Sequence, residues 1–147
     1  MSAWSLRNVV VGVDGSEQSL AAAEVAAAAA RTHSGVLHVV TVVRPPEGWW
    51  GLVGSPPPAE AFTSAMEKAQ QAVLDRTLAH IEPPGVEVVS SQELGDPANE
   101  LLAYCDRVDA DLLVVGRRGA GMVERLVLGS VADRIAHSSK RPVLIVP

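Results

Sequence analysis

Short aliphatic runs alternate with helix-forming segments along the chain, and this alternation limits the folds that it can adopt. Runs that are apolar at successive positions cover Asn8 to Val13, Val36 to Val43, Asp111 to Gly116 and Arg141 to Pro147. Such continuity is typical of strands that are buried on both faces of a parallel sheet. The remaining run, Val86 to Leu94, is more polar, which predicts a partly exposed edge strand.

Helix signals fill the gaps between these runs. Ser16 is a candidate N-cap for an alanine-rich helix over residues 17–33. Asp96-Pro97 combines an N-cap residue with proline at the first helical position, which predicts a helix to about Val108. Further helices are predicted over 59–81 and 130–137. In the former, apolar residues recur every three or four positions, at Met66, Ala69, Val73, Leu74 and Leu78.

The order β-α-β-α-β-α-β-α-β predicts an α/β fold, a single-domain open doubly wound parallel five-stranded sheet with right-handed crossovers. A length of 147 residues and a hydrophobic fraction of 48% suit one domain over residues 1–147. A long loop is predicted from Arg44 to Pro58. Its Trp49-Trp50 pair has three open interpretations: a lid over a site, a partner surface, or packing against the second helix.

Composition argues against several classes of function. The net charge is -5, and the twelve Lys and Arg residues are scattered, which disfavours binding to DNA or RNA. The apolar runs are shorter than the ~20 residues needed to span a bilayer. The chain has one cysteine, Cys105, which we expect to be a small buried residue. We therefore expect a cytoplasmic protein without a signal peptide or membrane partner.

A binding site is expected at the carboxyl ends of the strands, where the strand order reverses. The loop after the first strand holds Asp14, Gly15 and Ser16, and the loop after the fourth begins at Gly116. Asp14 has two interpretations, a metal-binding carboxylate and a turn residue before glycine. The four histidines are spread over separate elements, so their positions do not indicate a zinc site.

The glycine-rich segment between the fourth strand and the last helix favours an anion. Helix N-termini attract anions through unpaired N–H groups and the helix dipole, and a helix is predicted to begin at Gly129-Ser130. Gly119 and Gly121 permit tight turns, and Arg117 and Arg118 add positive charge. The alternative is a tight loop in which Ser130 only caps the helix. Neither a Walker-type motif nor G-x-G-x-x-G is present.

The spacing of these glycines resembles that of a known family. Gly116, two residues, Gly119, nine residues and Gly129-Ser130 fit the G-2x-G-9x-G-[ST] nucleotide motif of the universal stress protein family. The resemblance extends over the whole chain through "VVVGVDGSE", "GDPANELLAYCDRVDADLLVVGRRG" and "GSVADRIAHSSKRPVLIVP". It implies strand order 3-2-1-4-5 and membership of the branch that binds ATP.

The resemblance also implies roles for individual residues. Asp14 is expected near the ribose and phosphates or a metal, with magnesium as a candidate, and Val42 is expected to contact adenine through its backbone. Other members of the implied cofactor-binding set line the ribose and phosphate path or hold phosphates: Gly15, Ser16, Gly116, Arg117, Arg118, Gly119, Gly129, Ser130 and Val131. Ala132 stands where family ATP binders often have Ser or Thr, so AMP and ADP remain alternatives to ATP.

The resemblance also bears on assembly and activity. The last strand ends as a bare apolar edge, and family members resemble homodimers joined antiparallel through it, so we expect a C2 homodimer. The function expected is that of a nucleotide-dependent stress-response regulator without catalytic residues. An interaction module with a vestigial nucleotide site and a slow ATP hydrolase are the alternatives, and an unidentified protein partner is expected to read the nucleotide state.

Overall fold

The computed structural model describes residues 4–44, 59–118 and 128–147, and the side chains of residues 59–63 lie outside this description. Gly119, Gly121 and the Trp49-Trp50 pair also lie outside the described residues. Strands and helices alternate as follows: β1 (Asn8–Gly12), α1 (Glu17–Thr32), β2 (Val36–Val43), α2 (Ala59–His80), β3 (Glu87–Leu94), α3 (Pro97–Val108), β4 (Leu112–Gly116), α4 (Ser130–Ser138) and β5 (Val143–Val146).

The strands form a five-stranded parallel sheet in the order β3-β2-β1-β4-β5. The implied strand order and the edge position of β3 are therefore confirmed. Because the chain builds β1, β2 and β3 in one direction and then returns to the other side of β1, the order reverses between β1 and β4. A cleft at the carboxyl ends of these two strands follows from that reversal.

Helices cover both faces of the sheet, and the side chains of β1 divide between them. Val9 and Val11 pack with the alanines of α1 and with Leu74 of α2, whereas Val10 packs with residues of α3 and α4. This division follows from the two-residue period of a strand. Buried alanines let α1 lie close to the sheet: Ala22, Ala23, Ala26, Ala27 and Ala30. Within the described residues, no helix is long and apolar enough to cross a bilayer.

Helix α2 differs from its predicted apolar stripe. Ala69 is exposed, and the neighbouring Gln70 is buried instead, as is Thr77. Thr77 Oγ1 donates to the carbonyl oxygen of Val73 within the helix. Gln70 donates two hydrogen bonds to strand carbonyls, so both polar side chains satisfy their hydrogen-bonding groups inside the core. Cys105 is buried as expected, and burial raises the pKa of its thiol to about 11.

His38 of β2 is buried in a polar network that periodicity does not indicate. Its Nδ1 lies 2.9 Å from Tyr104 Oη and its Nε2 lies 3.0 Å from Asn8 Oδ1. Because an amide oxygen only accepts, Nε2 donates to Asn8, and the neutral ring accepts at Nδ1 from the Tyr104 hydroxyl. Burial lowers the pKa of His38, and the Glu87 carboxylate opposes this shift.

We predict that His38 makes the fold less stable in mild acid. The folded-state pKa lies below the ordinary value of 6.5, so the unfolded chain binds the proton more readily. The stabilisation from neutral His38 is complete above that value. It is lost as pH falls through 6.5 towards the folded pKa, by on the order of 1 kcal/mol. Urea unfolding at pH 7.5 and 5.5 should show a smaller pH effect in His38→Gln than in wild type. His33→Gln, at an exposed position, is the control, and an unchanged pH effect in His38→Gln would contradict the prediction.

Candidate functional site

A cavity of about 330 Å³ opens at the carboxyl ends of β1 and β4, where the strand order reverses. This volume lies within the range of small-molecule sites. Its lining comes from the ends of β1, β2 and β4 and from the first turns of α1, α3 and α4. The lining residues are Gly12, Val13, Asp14, Ser19, Val40, Val42, Pro97, Leu101, Val115, Gly116, Arg117, Arg118, Gly129, Ser130, Val131 and Ala132.

Most of the predicted site residues meet in this cavity. The set comprises Asp14, Val42, Gly116, Arg117, Arg118, Gly129, Ser130 and Val131. Gly119 lies outside the described residues. Gly15 and Ser16 are not among the lining residues. Gly15 forms the turn at a φ of +85°, and Ser16 caps α1 by accepting a hydrogen bond from the Ser19 N–H.

Part of the cavity lining is aliphatic and is called the apolar end below; sequence reasoning missed most of it. Val13 follows β1, Val40 lies within β2, Val115 lies near the end of β4, and Leu101 comes from the second turn of α3. Val40, Leu101 and Val115 belong to the core between the sheet and α3 and α4. The available signal was position, because Val115 lies near the carboxyl end of β4 and Val13 directly follows β1, at the edge where a site is expected.

The backbone of Val42 faces this apolar end. Pairing between β1 and β2 stops at Gly12 opposite Val40, and the Val13 N–H donates to the Val40 carbonyl at 2.9 Å. Main-chain groups alternate sides along a strand, so the N–H and C=O of Val42 point in the same direction as those of Val40. The chain has turned away from the sheet at Asp14 and Gly15. The N–H and C=O of Val42 therefore face the space beyond the carboxyl end of β1.

The start of α4 contributes a polar part of the lining, called the polar end below. Gly129 is the N-cap and supplies no side-chain hydrogen bond, whereas Ser16 and Asp96 cap α1 and α3 with side-chain oxygens. The first-turn N–H groups of α4 thus lack the side-chain acceptor that α1 and α3 have. Gly129 itself is held by its N–H, which donates to the Arg117 carbonyl at 2.7 Å.

Arg117 and Arg118 bring positive charge to the same end of the cavity. The buried Nε of Arg117 has no hydrogen-bond partner within the described residues. A buried donor of this kind is costly unless a partner accepts from it. Together with the first turn of α4, it makes this end suited to an anion with several acceptor oxygens.

Asp14 supplies a carboxylate to the cavity wall. Its Oδ1 accepts a hydrogen bond from the Ser16 N–H at 2.9 Å, which is the geometry of a turn residue. Among the described residues, no group of three or more histidine, cysteine or acidic side chains is arranged to hold a metal. A cation here would have to draw further ligands from a bound molecule or from water.

An ion-pair cluster of Asp96, Arg44 and Arg134 links three elements near the cavity. Asp96 caps α3 through the Asn99 N–H, and it also pairs with Arg44 after β2 and with Arg134 of α4. The hydrogen bond from the Asn99 N–H and the two guanidinium groups lower the pKa of Asp96. The cluster therefore ties the start of α3 to α4 while the carboxylate is charged.

These features define a doubly wound α/β domain with a ligand cavity at its topological switch point. The chain belongs to the universal stress protein family, whose model matches residues 5–147. Universal stress protein MJ0531 of Methanocaldococcus jannaschii is 31% identical over 147 residues, covering 95% of this chain and 81% of that protein. A Thermus aquaticus family member is 32% identical over 95% of this chain and 98% of its own length.

Solved structures of the family share the fold. A universal stress protein crystallised in complex with cAMP is 30% identical, with a TM-score of 0.67 over 97% of both chains. The protein from Archaeoglobus fulgidus in complex with dAMP is 22% identical, with a TM-score of 0.69 over 95% of this chain and 97% of its own. At that lower identity the likeness concerns the fold alone.

We predict that Gly116 is required for the close approach of α1 to the end of β4. A Cβ at Gly116 would lie 3.1 Å from the main-chain carbon of Gln18, and backbone cannot rotate away. Gly116→Ala should therefore lower the free energy of unfolding by about 1–3 kcal/mol in urea denaturation.

Gly12→Ala is the matched comparison for this prediction. There a Cβ would meet Cδ1 of Leu101 at 2.7 Å, and this side chain can rotate into the cavity. We expect a smaller loss than in Gly116→Ala. Equal losses in the two variants, or none in Gly116→Ala, would show that α1 is not held as closely as the structure indicates.

Proposed function

We propose that the protein binds an adenine nucleotide in this cavity and acts as a nucleotide-dependent regulator in the stress response. ATP is the first candidate, with AMP and ADP as alternatives. The observation that carries the proposal is the start of α4, a helix N-terminus without a side-chain cap that opens onto the cavity. Such a terminus binds phosphate through its N–H groups and its dipole.

The base belongs at the apolar end of the cavity. Val13, Val40, Leu101 and Val115 provide aliphatic surface for a purine ring. The Val42 N–H and C=O, which face the same space, match the acceptor and donor on the edge of adenine. A guanine would present a different order of donors and acceptors to these two groups. The backbone of Val42 therefore favours adenine.

The phosphates belong at the polar end. Ser130 and Val131 offer first-turn N–H groups, and Ser130 adds a hydroxyl, while Arg117 and Arg118 contribute charge. Gly116 lines the cavity at the end of β4, and Gly119 enters the proposal through the family motif. Ala132 lacks a hydroxyl, so one contact to a terminal phosphate is missing. This absence is the reason to test AMP beside ATP.

Asp14 belongs beside the sugar and the phosphates, with Gly15 and Ser16 shaping its loop. Its carboxylate suits either a ribose hydroxyl or a magnesium ion bridging to phosphate oxygens. The solved family member in complex with cAMP supports the ligand class, since cAMP contains adenine, a sugar and one phosphate.

We assign no catalytic residue and regard weak ATP hydrolysis as the enzymatic alternative. The cytoplasm is the proposed location, because a single cysteine suits a reducing compartment. The second candidate function, a protein-interaction module, depends on the Trp49-Trp50 segment outside the described residues.

We further propose a homodimer through β5, an edge strand of the sheet. The carbonyls of Pro142 and Val146 accept hydrogen bonds from β4, so the intervening Ile145 presents its N–H and C=O outward. Leu144 remains 40% exposed. A second β5 related by a two-fold axis would pair with this edge antiparallel and cover that surface.

Calorimetric titration of nucleotide-free protein with ATP, AMP and adenosine tests the proposed ligand. Wild type should bind ATP saturably, and Ser130→Ala should bind it about tenfold more weakly, because a hydrogen bond to a charged phosphate is lost. Adenosine, which has no phosphate, should bind both proteins alike. Ser138→Ala, at the far end of α4, is the control. Saturable binding of none of the three ligands by wild type would reject the proposal.

Sedimentation analysis over a range of concentrations tests the dimer. Ile145→Pro removes the outward N–H of β5 and should shift the protein to monomer without disturbing the pairing with β4. Ser90→Pro removes an outward N–H from β3, the other edge, and should leave the dimer intact. If wild type sediments as a monomer, or if Ile145→Pro remains dimeric, pairing through β5 is wrong.

A further inference from the structure

We propose that one face of α2 fixes the Val42 backbone, at the base end of the cavity, relative to the Asp14 carboxylate, which acts here beside the phosphates. This α2 positioning face consists of Gln70, Val73 and Arg76, which recur every third residue and so lie on the same side of the helix. None of the three lines the cavity. Each instead contacts the chain beside a lining residue. The inference rests on the proposed nucleotide site and names the residues that position it.

Gln70 holds the base end. Its side chain is 5% exposed, and Nε2 donates to the Thr41 carbonyl at 3.2 Å and to the Glu93 carbonyl at 2.8 Å. One amide thus bridges the ends of β2 and β3. Thr41 immediately precedes Val42, whose backbone faces the cavity. A fixed Thr41 carbonyl therefore limits the movement of the Val42 N–H and C=O.

Arg76 holds the loop that carries Asp14. Its Nη1 donates to the Gly15 carbonyl at 2.7 Å, and its Nη2 donates to Glu17 Oε1 at 3.0 Å. Gly15 adopts a φ of +85°, which glycine accepts without strain. The guanidinium therefore binds the residues on either side of Ser16, the N-cap of α1. Asp14, whose carboxylate accepts from the Ser16 N–H, is oriented through the same turn.

Val73 completes the face between these polar contacts. A Cβ built on Gly15 would lie 3.5 Å from Val73 Cγ2, so this side chain faces the turn across the space of about one methyl group. The burial of α2 in the core depends on other residues, among them Leu74 and Thr77. Gln70 and Arg76 can thus be changed while the apolar anchoring of the helix is kept.

The test compares ATP with adenosine in two variants. Arg76→Met keeps the aliphatic stem but loses both hydrogen bonds. It should lower the affinity for ATP about tenfold and change the affinity for adenosine less than about twofold. Gln70→Leu should lower the affinity for both ligands by a similar factor, about fivefold or more, because both ligands use the base end of the cavity. Arg76→Lys should recover part of the ATP affinity.

Matched controls separate positioning from general loosening. Arg31→Met removes a comparable hydrogen bond, from a guanidinium to the Pro84 carbonyl, far from the cavity. Gln71→Leu changes the exposed neighbour of Gln70. Both controls should bind ATP like wild type. Equal losses of ATP and adenosine in Arg76→Met, or wild-type binding in both test variants, would overturn the proposal.

Hydrogen exchange gives a readout that does not depend on a ligand. In Arg76→Met, the amide hydrogens of residues 12–18 should exchange faster, and those of residues 41–43 should exchange as in wild type. In Gln70→Leu, the reverse pattern is expected. If wild type binds neither ATP nor adenosine, the proposed function fails and this experiment alone decides the positioning. Unchanged exchange in both variants would then overturn it.

Discussion

Parallel pairing of β1 with β2 on one side and β4 on the other is the constraint on which the rest of the molecule depends. Parallel strands bring all their carboxyl ends to one edge of the sheet, and each must be followed by a crossover. The crossover from β1 goes to one face and that from β4 to the other. The two loops therefore separate, and the space between them becomes the cavity at Asp14 and Gly116.

Sequence reasoning recovered what is local or periodic. Aliphatic runs predicted the strands, and the Ser16 and Asp96 caps fixed the starts of α1 and α3. The segment of spaced glycines after Gly116 lies mostly outside the described residues, so its interpretation stays a prediction. The strand order came from the family resemblance, because apolar runs alone do not specify which strands are neighbours. The roles of the individual site residues remain predictions, to be decided by ligand binding.

What the sequence did not show depends on partners that are distant along the chain. The apolar stripe predicted for α2 contains Ala69 rather than Gln70, because apolar spacing does not indicate a buried amide whose acceptors lie on two strands. The sequence likewise does not predict that His38 is buried and hydrogen-bonded to Asn8 and Tyr104. Buried polar groups need specific acceptors or donors, and only the tertiary structure supplies these.

The Val42 backbone and the uncapped first turn of α4, which both face the cavity, affect which substitutions this binding surface tolerates. Both are main-chain groups, so replacing the side chain of Val42 by another β-branched residue leaves its hydrogen-bonding pattern intact. The Val42 part of this surface is thus encoded in strand register rather than in residue identity. The open first turn of α4, in contrast, also requires Gly129, which has no side chain that could cap the helix.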